Sequence, residues 1–256
     1  MRTEVLEERF DTSTLDDGVW LPHYLPAWSS RALSRASFGL GGGLRLNVPV
    51  DHPLWCSGEH FPPLRVSGLQ SGSWSGPAGS TRGQQRFLEG QVVREEQPRF
   101  EGWLMSSGRV DIRARMTLSA RSMAALWMSG FEDDPGQEQC GELCVFEIFG
   151  SSVHRDPPSA EVGVGIKPFR DPGLADDFAA PRLSIDVSQP HHFAVRWDAR
   201  VAEFTVDDEI VRICPRPPTY PLQLMLAVFD FPQWSTGTDD HLVPELVVDH
   251  LLAARG

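Results

Sequence analysis

Lysine is nearly absent from the 256 residues, so the basic side chains are almost all arginine. Lys and Arg together number 23 against 35 acidic residues, which gives a formal net charge of −12 at pH 7. Such a balance offers little to neutralise phosphate groups, so it argues against nucleic acid or an anionic membrane as partner. It suits a neutral polysaccharide better than a strongly sulfated one. Long apolar runs are missing too, and none could span a bilayer. The start, Met1-Arg2-Thr3-Glu4-Val5-Leu6-Glu7-Glu8, is acidic and has no apolar core of the kind a secretory signal carries. The chain as given is therefore expected in the cytoplasm, and outside the cell only if a leader has been removed. Cysteine is scarce. Cys56, Cys140, Cys144 and Cys214 form no Cys-x-x-Cys pair and no His pair follows them, so free buried thiols are expected rather than a zinc site. There is no internal repeat, no low-complexity tract, no long amphipathic helix and no lysine-bearing P-loop.

What is present is a succession of short β-favouring segments separated by turns, with 23 Gly and 21 Pro. Residues 44–48 and 110–116 alternate apolar and polar side chains with period two, as half-buried strands do. Residues 191–197 can pair with residues 202–211, and residues 222–229 read as a fully buried strand. Residues 162–166, Val-Gly-Val-Gly-Ile, read as a strand with close backbone approaches. The pattern predicts an all-β sandwich or jelly roll of two antiparallel sheets, as one domain over residues 1–256.

The chemistry concentrates at residues 141–150, Gly-Glu-Leu-Cys-Val-Phe-Glu-Ile-Phe-Gly. A buried strand excludes carboxylates unless they are compensated, because desolvating one costs several kcal/mol. Glu142 and Cys144 share a face of an extended strand, whereas Glu147, at an odd offset from Glu142, falls on the other. One extra residue at Val145-Phe146, a β-bulge, would return Glu147 to the face of Glu142. Two carboxyl groups on one sheet surface are the equipment of glycoside hydrolysis. Residues 51–90 are loop-rich, and Trp74, Gln84 and Arg86 suit sugar rings and hydroxyls as well as they suit a plain surface loop. The cluster at residues 23–28 is loop packing or cleft wall. Trp234, in a polar loop, is the best aromatic for a cleft rim.

The decapeptide resembles the signature of glycoside hydrolase family 16, the laminarinase, lichenase and carrageenase group, whose bulged form reads Glu-(Ile/Leu)-Asp-apolar-apolar-Glu. Glu142, Leu143, Val145, Phe146 and Glu147 match, and Cys144 stands where the family has Asp. The resemblance extends from about Phe10 to Asp249. It implies a concanavalin A-like jelly roll with a concave substrate cleft and a retaining endo-type hydrolase of a β-linked polysaccharide, β-glucan above all. It makes Glu142 the nucleophile and Glu147 the acid and then base, with a raised pKa on the acid. Cys144 takes the place of the residue that tunes the pair, and weakened turnover is expected. Asp111 and Arg113 match a strand whose acidic residue and following Arg hold a glycosyl unit. Trp127 matches a Trp in or near the cleft, although the Trp and Pro that precede it in the family are missing. Asp249 matches an Asp that can join a structural calcium site. No other cofactor is implied. A carbohydrate-binding protein without turnover, and a transglycosylase, use the same fold and residues.

Overall fold

The strands that alternate buried and exposed side chains form one sheet, and most of those buried along nearly their whole length form the other. In the computed structural model, residues 4–132, 138–239 and 241–256 are described. Met1, Arg2 and Thr3, the first part of the acidic start, lie outside the described residues. The first sheet has eight antiparallel strands. In spatial order these are Glu209–Pro215, Val201–Val206, His191–Trp197, Gly108–Thr117, Glu245–Arg255, Leu44–Asn47 and Ser37–Gly39, and Val5–Glu8 adds to Glu245–Arg255. The second sheet runs Asp177–Ala179, Gly163–Lys167, Glu142–Phe149, Ser122–Gly130, Leu222–Asp230 and Arg65–Gln70, with Leu104–Met105 beside Leu222–Asp230. This is the expected all-β jelly-roll sandwich.

The two sheets share one core. Val110, Ile112, Ala114 and Met116 point inward from the first sheet and meet Leu126, Met128, Leu143, Val145, Phe146, Leu224 and Leu226 of the second. Each such side chain contributes about 1.5–3 kcal/mol when fully buried. Trp20 also belongs to this core, with its Nε1–H donating to Glu8 at 3.0 Å. The first sheet turns its other face to solvent, which is why its strands alternate. The second sheet is covered again on its outer side by a second cluster that includes Leu25, Trp28, Trp55, Leu64, Met225 and Phe229. All nine residues of Leu222–Asp230 are accordingly buried.

Residues 202–211 divide into two strands joined at Asp207-Asp208, where φ is 49° and 67°. Two central residues with positive φ match the right-handed strand twist, and Asp tolerates that conformation better than most residues.

Two glycines bound the strand Glu142–Phe149 for reasons of space. A Cβ on Gly141 would stand 2.1 Å from Leu174 Cδ1 and 2.6 Å from the Tyr220 hydroxyl, and one on Gly150 would stand 1.9 Å from the Ser119 carbonyl oxygen. The Tyr220 hydroxyl accepts from the Gly141 N–H at 2.8 Å and donates to Asp171 at 2.7 Å, which pins the strand entrance. Gly150→Ala is expected to destabilise the fold by about 1–3 kcal/mol, the usual cost of overpacking against backbone. Denaturant titration followed by tryptophan fluorescence measures it, and a wild-type midpoint would contradict the close approach.

Candidate active site

The strand Glu142–Phe149 carries an irregularity in its middle. Cys144 faces Trp127 on the strand Ser122–Gly130, and the next pair is Phe146 with Leu126, so Val145 is the extra residue. On the other side Cys144 pairs with Gly165 and Glu147 with Gly163, with the same shift between them. Leu143, Val145, Phe146 and Ile148 enter the inter-sheet core. Glu142, Cys144 and Glu147 line a single cleft on the outer face, as a bulge at this place requires.

The cleft has two lobes. One, of about 220 Å³, holds both Glu142 and Glu147 and is walled by Met123, Phe229 and Phe231. The other, of about 210 Å³, lies beside Glu142 and is walled by Trp55, Gln85, Phe87, Phe169 and Met225. Tyr24, His60, Trp127 and Glu142 border both lobes. Tyr24 packs edge-on against Trp55 at 5.0 Å and Phe229 at 5.5 Å, and burial pushes its phenol pKa up. The His60 Nδ1–H donates to the Pro62 carbonyl at 2.8 Å, which sets the ring against Trp55 and Phe87. Trp127 lies 5.9 Å from Phe229 at 38° between planes. Trp234 is 44% exposed and stacks on Phe231 at 4.3 Å, so it stands at the cleft rim.

The wall beside Glu142 stores backbone strain. Gln85, Glu132 and Phe169 have φ of 52°, 50° and 52°. Non-glycine residues in this region cost of order 1–3 kcal/mol each and persist only where their surroundings hold them. Here Glu132 does so, accepting from the Gln85 N–H and pairing with Arg170 at 2.6 Å.

The charges are arranged around the chain's only lysine, Lys167. Its Nζ donates to Glu147 Oε2 at 2.7 Å and lies 4.2 Å from the centroid of the Phe178 ring. Across the strands Lys167 is the register partner of Glu142. Burial, opposed by Lys167 and reinforced by Glu147, raises the Glu142 carboxyl to about 7. Burial, together with the neighbouring Glu142, pushes the Cys144 thiol well above its ordinary range, so it is a neutral side chain here. Burial acts against the Lys167 ammonium, but Glu147, which also accepts its hydrogen bond, and Glu142 outweigh it and its pKa is raised.

Three expectations are corrected. Asp111 and Arg113 lie on Gly108–Thr117 in the opposite sheet and face away from the core. Asp111 pairs with Arg109 at 2.6 Å and Arg113 with Asp249, so neither reaches the cleft. Their alternation is that of an ordinary solvent-facing strand. Asp249 does not fit a calcium site either, because its two carboxylate oxygens accept from Arg113 and Arg115. Among the described residues no group of three or more His, Cys, Asp or Glu converges on a metal position. Trp74 and Gln84 are buried and both donate to the Phe131 carbonyl, at 2.9 and 2.7 Å, so they brace the loops rather than meet a ligand. The Glu142 carboxyl, which borders both lobes, is raised by burial.

Sequence reasoning missed His60, Phe229 and Phe231 as cleft residues and Lys167 as the partner of Glu147. Lys167 had a signal, its solitary occurrence in an arginine-rich chain. His60 had none, since its loop has no periodicity. The glycines of residues 162–166 do mark close approaches. A Cβ on Gly163 would stand 2.5 Å from the Phe178 ring, and one on Gly165 2.2 Å from the Asp177 carbonyl oxygen.

The raised Glu142 carboxyl makes a statement about stability. Its ordinary value is 4.5 and its folded value about 7, so the folded state holds this proton more tightly than the unfolded chain. Its contribution is neutral below the lower value, turns unfavourable as pH rises through the window, and is fully unfavourable above the upper one. Glu142→Gln is expected to raise stability by on the order of 2 kcal/mol at alkaline pH and to leave it unchanged at acid pH. Thermal melts of both proteins across that range provide the check, and a pH-independent difference would contradict the burial of an ionising Glu142.

No family model and no curated protein sequence matches this chain. Solved structures do. A GlcNAcα1-4Gal-releasing endo-β-galactosidase from Clostridium perfringens superposes with a TM-score of 0.79 at 21% identity, over 98% of this chain and 62% of that one. A laminarinase from Flavobacterium sp. UMI-01 gives a TM-score of 0.65 at 16% identity, over 97% of this chain and 98% of that one. A non-specific endo-β-1,3(4)-glucanase from family GH16 gives 0.64 at 12% identity, over 100% of this chain and 95% of that one. The present chain thus spans less than two thirds of the length of the first of these and nearly the whole of the other two. At these identities the likeness establishes a shared fold, the sandwich with its cleft on one sheet.

Proposed function

We propose that this chain is a glycoside hydrolase of family 16, a retaining endo-acting enzyme on a β-linked polysaccharide or oligosaccharide. The observation that carries the reading is the bulge at Val145, which brings Glu142 and Glu147 to the floor of one aromatic-walled cleft. The shared fold with endo-acting glycosidases supports it. So does the cleft chemistry, since Trp127, Phe229 and Phe231 offer ring faces to the apolar faces of sugars.

In the retaining scheme Glu142, ionised, attacks the anomeric carbon. Glu147 gives a proton to the departing glycosidic oxygen as that bond breaks, and a glycosyl ester forms on Glu142. Glu147 then takes a proton from water, whose oxygen displaces Glu142 from the anomeric carbon and restores both carboxyls. Cys144 is a neutral, weakly hydrogen-bonding thiol between them and adds no charge to the pair. Turnover is therefore slower than with a third carboxyl group at that place.

The substrate class is β-glucan or β-galactan. Laminarinases and an endo-β-galactosidase share the fold, and both polysaccharides are neutral, as the acidic chain favours.

Purified protein incubated with a panel of β-glucans and β-galactans is expected to release reducing ends, and proton NMR of the first product is expected to show the β-anomer. Glu142→Gln and Glu147→Gln should each lower kcat by at least about a thousandfold, the scale at which removal of an essential catalytic group acts. Binding of the same polysaccharides without turnover would move the chain to the carbohydrate-binding class. Because free Glu142 ionises near 7, kcat/KM is expected to fall as pH drops through that value. Cys144→Asp should raise kcat, and an unchanged rate would clear position 144 of any part in the chemistry.

A further inference from the structure

The proposed mechanism uses two carboxyl groups and leaves one ionised group of the cleft without a role. We propose that Lys167 is a positioning residue for the pair, holding the Glu147 carboxyl in place and setting one positive charge beside the two glutamates. This rests on the glycosidase reading for its purpose, but the placement itself can be tested without turnover.

Three observations converge on it. Lys167 is the only lysine among 256 residues, in a chain whose other 22 basic side chains are arginine. Its strand partner is Glu142 and its hydrogen-bond partner is Glu147, so one ammonium serves both carboxyls. The ammonium also lies over the Phe178 ring, 4.2 Å from its centroid, which holds it by a second contact. Gly163 and Gly165 let the strand Gly163–Lys167 approach closely enough for this, because side chains there would collide with Phe178 and the Asp177 backbone.

Lysine rather than arginine suits the position. A compact ammonium on a flexible stem can stay beside the Glu147 carboxyl as its proton leaves and returns, whereas a guanidinium locks a carboxylate in a two-pronged bond. The other titratable group acting on the ammonium is Cys144, which in turn faces Asp176, and Tyr24 and His60 line the same cleft as Cys144. Asp177, on the adjoining strand, is turned to Arg212. Glu142 and Glu147 are therefore the carboxyls on which Lys167 acts most directly.

The single lysine makes the test direct. Protein grown with 13Cε-labelled lysine is expected to give one lysine resonance, shifting as Glu142 ionises near 7, and the amine itself is expected to keep its proton beyond 10.5. A resonance that does not move across the neutral range, or that loses its proton below 10.5, overturns the proposal. In protein labelled at glutamate 13Cδ, Lys167→Met should move the Glu142 titration up by about one pH unit, and Lys167→Arg should restore most of that shift. The acid limb of kcat/KM, on whichever panel polysaccharide is cleaved, should move by the same amount with KM little changed. Equal behaviour of the Met variant and wild type overturns the proposal. If Lys167→Met does not fold, the wild-type lysine spectrum still decides. The expected spectra with no polysaccharide cleaved would support the placement of Lys167 while removing the hydrolase reading, so the two fail separately.

Discussion

One residue too many in one strand organises this molecule's chemistry. Along Glu142–Phe149 the side chains would alternate between the inter-sheet core and the cleft, and five positions would separate the two glutamates onto opposite faces. Val145 breaks that count. Without it, one of the two glutamates would point into a core of Phe146, Phe193 and Leu126, where an unpaired carboxylate costs several kcal/mol. The bulge removes that cost and gathers both charges at one surface. The flanking glycines have a separate cause, the close approach of Leu174 and Tyr220 at one end and of the Ser119 backbone at the other.

The second sheet is covered on both sides, and this determines the electrostatics of the cleft. Loops carrying Leu25, Trp28, Trp55 and Leu64 lie over the outer face, so the carboxyls work in a partly apolar setting. Burial there raises Glu142 and makes Cys144 inert, and the same low polarity strengthens the attraction of both carboxyls for Lys167. The cleft is a balance among a few ionisable groups in a restricted dielectric. Its strained wall at Gln85, Glu132 and Phe169 follows the same pattern, with the Glu132–Arg170 pair keeping disfavoured backbone in place.

Much of the fold was legible in local patterns. Alternation at residues 110–116 announced a strand with one wet face, the apolar run at 224–229 announced one buried on both, and the spacing of Glu142 and Glu147 announced the bulge. At Asp111 and Arg113 the alternation read correctly as a solvent-facing strand, and the resemblance to a glycosyl-holding strand misled. Period two says that two side chains share a face, but not which of two sheets the strand joins or what lies beyond that face. Trp74 and Gln84 misled for a related reason, because a loop rich in hydrogen-bonding residues reads alike whether its partners are a ligand or a backbone carbonyl such as that of Phe131.

The sequence by itself determined what is governed by neighbours in the chain, namely strand periodicity, the bulge and the acidic surface. Only the tertiary structure decided which side chains gather at the carboxyls. Lys167 comes from the next strand, Tyr24 and His60 from loops more than 80 residues earlier, and Phe229 from a strand as far beyond. The physical reason is that a cleft is made by long-range packing of a twice-covered sheet. The charge, burial and reach of each group there depend on residues that local spacing does not connect.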